Sequence, residues 1–123
     1  MYELTVDSQF SSAHYLKGYE GDCARIHGHT WKVNLTVVAE SVNEVGLSLD
    51  FKYISSVLDR ITAQFDHRLL NELDPFRDCN PSAENVAKVI YELCERDFAG
   101  AEVTVRSVTV HESDRYRVTY KPS

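Results

Sequence analysis

No apolar run in this sequence reaches the roughly 18 residues that a membrane-crossing helix needs, so no helical span is expected. Cysteine is scarce. The three present, Cys23, Cys79 and Cys94, are odd in number and follow no small-scaffold spacing, which argues against a disulfide framework and fits a reducing cytoplasm. A basic excess is also missing: 13 Lys and Arg stand against 19 Asp and Glu, a formal net charge of −6 with five histidines neutral. A nucleic-acid or anionic-membrane surface would want the opposite balance, although a local basic pocket for an anionic small substrate remains compatible with it. The opening Met1-Tyr2-Glu3-Leu4-Thr5 alternates like a strand and lacks the charged and apolar regions of a signal peptide. No repeat, low-complexity tract or linker interrupts the chain. What remains, at 123 residues with 43% hydrophobic and 26% charged content, is an ordinary soluble globular domain spanning residues 1–123.

Hydrophobic periodicity divides that domain into elements. Tyr2 to Ala13 alternates as a first strand, and Gly18, Gly21 and Asp22 mark a loop. Trp31 to Val38, with Trp31, Val33, Leu35 and Val37 on one parity, is a second strand. Asp50 reads as a helix N-cap before Phe51, Ile54, Leu58, Ile61 and Phe65, which recur at three- and four-residue steps. Asn80-Pro81-Ser82 signals a second helix, with the proline in its first turn, running through Val86, Val89, Ile90 and Leu93 to Gly100. Val103, Val105, Val108 and Val110 form a third strand, and their broken parity predicts a bulge near Arg106-Ser107. Tyr116, Val118 and Tyr120 form a fourth after a tight turn at 113–115. The order ββααββ predicts an α+β domain, a four-stranded antiparallel sheet with two helices on one face. Its open edges favour pairing between subunits.

The chemistry concentrates in Cys23-Ala24-Arg25-Ile26-His27-Gly28-His29. On a strand, His27 and His29 face the same way, and neutral imidazole is a good zinc ligand. His14 lies just past the end of the first strand, so antiparallel pairing brings it to His27 and His29. Three histidines leave a tetrahedral zinc one open position, the pattern of a catalytic site. Cys23 sits in a polar loop beside Arg25, where a cationic neighbour favours the thiolate; spacing leaves it as a fourth ligand, a base or a nucleophile. Cys94 falls at a core-facing helical position, and Cys79 also reads as a buried thiol. Asp66-His67 is either a solvated helix end or an acid–histidine pair for proton transfer. Glu112 ends the third strand where it caps a pocket or stays exposed. Glu84 is by default an acidic residue in a first helical turn, and His111 alternates away from Glu112 as a structural residue.

Taken together, these residues resemble the 6-pyruvoyl-tetrahydropterin synthase family, and within it the bacterial 6-carboxy-tetrahydropterin synthase branch. The matching pieces are Phe10-Ser11-Ser12-Ala13-His14, the run from Cys23 to His29, Phe65-Asp66-His67-Arg68-Leu69-Leu70-Asn71, Asn80-Pro81-Ser82-Ala83-Glu84-Asn85-Val86-Ala87 and Val108-Thr109-Val110-His111-Glu112-Ser113. They keep the family's order from near one end of the chain to near the other. The resemblance implies the tunnelling fold, with such units assembled into barrels, a homo-oligomer (a hexamer from two trimers) and an active site between subunits. It implies Zn2+ held by His14, His27 and His29, Cys23 as general base, and His67, oriented by Asp66, as its proton-transfer partner. Glu112 would anchor the pterin ring and share in the charge relay, with Ser82 and Glu84 lining the pterin pocket.

The implied substrate is 7,8-dihydroneopterin triphosphate. In the carboxy enzymes it gives 6-carboxy-tetrahydropterin with release of acetaldehyde and triphosphate, on the 7-deazaguanine (queuosine precursor) route. Lys17 and Arg25 are positional candidates for the triphosphate. The three-residue spacer between Cys23 and His27 resembles the carboxy branch. The Ser113–Tyr120 segment resembles the pyruvoyl branch, and Ser82 stands where a threonine is common. The same fold making 6-pyruvoyl-tetrahydropterin is therefore the first alternative. A non-catalytic metal-binding or cupin-like module is a second, weakened because 31–37 supplies no glutamate after the histidines. A zinc hydrolase, which would not need a pterin anchor at Glu112, is a third.

Overall fold

Alternation in the first two strands continues past the apolar stretches that announce it. In the computed structural model, which describes all 123 residues, β1 spans Tyr2–His14 and β2 spans His27–Ala39. They pair antiparallel along their whole length, from Tyr2 opposite Ala39 to His14 opposite His27. His14 is thus the last residue of β1 rather than beyond it, and the histidine pair lies inside β2 rather than ahead of it. Backbone pairing extends each strand through residues too polar to show in a hydrophobic pattern.

Helix α1 (Phe51–Ala63) begins where the Asp50 carboxylate accepts a hydrogen bond from the Lys52 amide, as expected of an N-cap. Helix α2 (Ala83–Asp97) is capped by the Ser82 hydroxyl, which accepts from the Asn85 amide at 3.2 Å. Ser82 takes the cap, so Pro81 precedes the helix instead of occupying its first turn. Both helices lie on one face of the sheet. Ile54, Val57, Leu58 and Ile61 of α1 and Val86, Ile90 and Cys94 of α2 join Phe10, Trp31, Val33, Leu35 and Val110 in a single cluster of 25 buried residues. Each large side chain removed from water there stabilises the fold by about 1.5–3 kcal/mol.

Between the helices the chain adds a strand the pattern did not show. The two-residue β3 (Arg68–Leu69) runs parallel to β1 beside Ser12 and Ala13. With β4 (Thr104–His111) and β5 (Arg117–Tyr120) the sheet order is β3-β1-β2-β4-β5. The expected four-stranded antiparallel sheet is therefore a five-stranded one; two residues are too few to register as alternation. The expected bulge is present, since Thr36 faces Ser107 and Val37 faces Val105, leaving Arg106 as the extra residue. Because β3 covers only the end of β1, residues 2–11 of that strand form an open edge.

Candidate metal centre and active site

Side-chain parity brings three strand ends to one place on the helix-bearing face. Phe10, Ser12 and His14 share one face of β1, and His27, His29 and Trp31 share the facing side of β2. Glu112, one residue past β4, continues the inward parity of Val108 and Val110. The imidazole centroids of His14, His27 and His29 are 4.5, 5.2 and 4.9 Å apart. One potential ligand atom from each of them and from Glu112 lies within 4.8 Å of all the others. Below them Trp31, fully buried, sets its ring edge-on to His14 at 4.9 Å and to His29 at 5.4 Å. The indole N–H donates to the Ser12 carbonyl at 3.3 Å, and Phe10 stacks on the ring at 5.8 Å.

Second partners fix which nitrogens face the cluster. His14 Nδ1 lies 2.7 Å from the Pro81 carbonyl oxygen and His27 Nδ1 lies 2.7 Å from the Arg25 carbonyl oxygen. A carbonyl only accepts, so each Nδ1 carries the proton and each Nε2 keeps its lone pair, the usual arrangement of metal-bound histidine. The Nε2 atoms of His14 and His29 are buried without a hydrogen-bond partner. His29 Nε2 stands 3.2 Å from Glu112 Oε1, close enough for electrostatic contact yet not aligned as a hydrogen bond. Buried unpaired acceptors are costly, and one cation among them would satisfy both nitrogens and the carboxylate together. Burial pushes the pKa of His14 and of His29 below the ordinary histidine value, outweighing the opposing pull of the Pro81 carbonyl on His14 and of Glu112 on His29. The rings are therefore held in the neutral form that binds metal. The residues present fit a metal ion, and an imidazole-rich donor set with a carboxylate suits zinc.

Other candidate residues lie outside this convergence. Cys23 is half-buried in a 3₁₀ turn, Asp22–Ala24, and its carbonyl accepts from the Leu16 amide at 2.8 Å. Asp66 and His67 form the expected pair, with Oδ2 2.8 Å from Nδ1. They are fastened to β1: Asp66 Oδ1 accepts from the Ser11 amide at 2.8 Å, and the His67 amide donates to the Ser11 carbonyl at 2.6 Å. Those contacts hold Asp66 below the usual carboxylate range, the Ser11 amide first and His67 next. They also hold His67 at φ 54°, a left-handed conformation unfavourable for a residue with a side chain. The His67 side chain is 83% exposed, so one chain alone does not bring this pair to the histidines. Glu84 is exposed in the first turn of α2, Ser82 is engaged as its cap, and Lys17 and Arg25 are exposed.

Cys94 is buried, and burial pushes its thiol up to about 12, which makes it inert; Cys79, expected in the interior, is exposed instead. It sits outside both helices, in the loop between Phe76 and Ala83, with its Sγ 3.5 Å from the Pro75 carbonyl oxygen. His111 lies on the opposite face, with Nε2 2.6 Å from the Asn34 side-chain oxygen, in keeping with a structural role. Glu112, outside the expected set of three histidines, joins the potential ligands. Its parity with Val108 and Val110 was the available signal.

A sheet carrying helices on one face and a preformed nest of imidazoles and a carboxylate at its end defines a tunnelling-fold protein with a candidate metal centre. The family model for 6-pyruvoyl tetrahydropterin synthase matches residues 3–123, and the chain belongs to that family. It is 31% identical over 128 residues to the 6-carboxy-5,6,7,8-tetrahydropterin synthase of Bacillus subtilis, covering 98% of this chain and 86% of the relative. It is also 31% identical over 111 residues to the dihydroneopterin monophosphate aldolase of Pyrococcus furiosus, covering 90% of each. The solved structure of Caenorhabditis elegans 6-pyruvoyl tetrahydropterin synthase superposes with a TM-score of 0.89 at 23% identity, over 99% of this chain and 96% of that one, which shows the shared fold.

Proposed function

We propose that this chain is a zinc-dependent 6-carboxy-5,6,7,8-tetrahydropterin synthase, a cytoplasmic lyase of 7-deazaguanine (queuosine precursor) biosynthesis. Its substrate would be 7,8-dihydroneopterin triphosphate, with acetaldehyde and triphosphate released. The observation that carries the reading is the set of unpaired nitrogens on His14 and His29, gathered with His27 and Glu112 at the end of a family sheet. The identity to the Bacillus subtilis enzyme and the three-residue spacer after Cys23 favour the carboxy product.

His14, His27 and His29 would hold the metal, which when bound supplies Lewis-acid polarisation of the substrate's hydroxyl and keto oxygens. Cys23 accepts the proton of an acidified carbon or hydroxyl, helped by Arg25 two residues on. His67, oriented through Nδ1 by Asp66, exchanges a second proton at Nε2. Its exposure beside the open edge of β1 suits a site completed by a neighbouring subunit, in a homo-oligomer built as two trimers. Carboxylates match the paired N–H donors of a pterin edge. Glu84 is exposed beside the Ser82 cap, and Glu112 against His29 couples ring binding to the proton relay.

Product analysis after incubation with dihydroneopterin triphosphate tests the reading. Acetaldehyde with a 6-carboxy product supports it, and a 6-pyruvoyl product without acetaldehyde contradicts it. The equal identity to the Pyrococcus furiosus aldolase makes dihydroneopterin monophosphate the necessary second substrate in that assay. Exclusive cleavage of the monophosphate would assign the chain to that activity instead. Light scattering tests the assembly: a multiple of 14.0 kDa is expected, and a monomer at micromolar concentration would contradict it.

A further inference from the structure

Beyond His14 the chain leaves the sheet but keeps strand-like edges through Tyr15, Leu16 and Lys17. Two asparagine side chains meet one of those edges. Asn71 accepts from the Tyr15 amide at 3.0 Å and donates to the Tyr15 carbonyl at 2.9 Å. Asn80 does the same for Lys17, at 2.9 Å in both directions. A primary amide offers a carbonyl and an N–H side by side, so each asparagine replaces the peptide group of an absent neighbouring strand. On the other edge, the Leu16 amide donates to the Cys23 carbonyl at 2.8 Å. Asn80 is itself fixed, because its carbonyl accepts from the Asn85 side chain at 2.8 Å, and its neighbour Pro81 holds the His14 ring.

We infer that Asn71 and Asn80 are positioning residues: their paired amide clamps on Tyr15 and Lys17 hold the strap that sets both the His14 ligand and the Cys23 loop. The strap joins the end of β1 to the segment before α2 on one side and to the 3₁₀ turn of Cys23 on the other. A clamp lost at Lys17 frees the strap between His14 and Cys23, so one substitution disturbs a metal ligand and a proton acceptor together. The inference rests on the zinc reading for its first consequence and not for its second.

The test uses the full chain with Asn80→Ala and the isosteric Asn80→Asp, which keeps the acceptor but removes the donor to the Lys17 carbonyl. Three quantities are read: zinc affinity by chelator competition, the urea midpoint of the zinc-free forms, and the alkylation rate of Cys23 by iodoacetamide in a Cys79→Ser background. Both variants are expected to bind zinc about tenfold more weakly, as when an outer partner of a metal ligand is removed. Cys23 should be alkylated several-fold faster in both. Unchanged zinc affinity and unchanged alkylation, with only the urea midpoint lowered, would make the clamps merely structural and overturn the inference. A parent protein that binds no zinc would refute the metal reading, and the alkylation rates would still decide this one.

Discussion

His14 Nδ1 stands 2.7 Å from the carbonyl oxygen of Pro81, tying the last residue of β1 to the turn that begins α2. The contact fixes the ring's tautomer and turns its other nitrogen, buried and unpartnered, toward His27 and His29. Sheet and helix therefore share one candidate metal ligand, and the site's geometry depends on the packing of both.

Acid should loosen the metal-free protein early. Burial holds the His14 and His29 pKa below 6.5, so between those lowered values and 6.5 the unfolded chain binds more protons than the folded one. Stability falls as pH drops through that window. The urea midpoint of chelator-treated protein should decline from about pH 7 downward, before carboxylates titrate. A midpoint flat to about pH 5 would contradict the buried neutral state.

His27→Ala should lower zinc content measured by elemental analysis, while leaving His14 and its Pro81 contact in place. Full occupancy in this variant would remove His27 from the ligand set.

Cys23→Ala should keep zinc and lose turnover by about 10²–10⁴-fold, the range for a positioned acid–base group. Zinc lost along with activity would instead make Cys23 a fourth ligand.

Trp31 is the only tryptophan and supports the histidines from below. Trp31→Ala should cost about 3–5 kcal/mol of stability by urea unfolding. A loss within about 1 kcal/mol would mean that the site's floor does not depend on this ring.

Much of this architecture is legible in residue order. The parity of Trp31, Val33, Leu35 and Val37 announces β2, the Asp50 cap and the Asn80-Pro81-Ser82 start signal announce the helices, and the three-residue step from Val105 to Val108 announces the bulge. The histidines are legible because antiparallel pairing fixes His14 opposite His27. What escaped is tertiary. β3 is held by two residues beside Ser12 and Ala13 and leaves no period to read. Asn71 and Asn80 act through single side chains on a backbone far away in sequence. His67 is exposed, and a contact with a neighbouring subunit would leave no pattern within one chain.

Zinc titration of the chelator-treated protein, with turnover of dihydroneopterin triphosphate as the readout, decides whether the histidine cluster is a catalytic metal centre. Turnover should be absent without metal, rise in proportion to added zinc, and level off at one zinc per chain. Undiminished turnover in fully metal-free protein would contradict a catalytic metal centre at His14, His27 and His29.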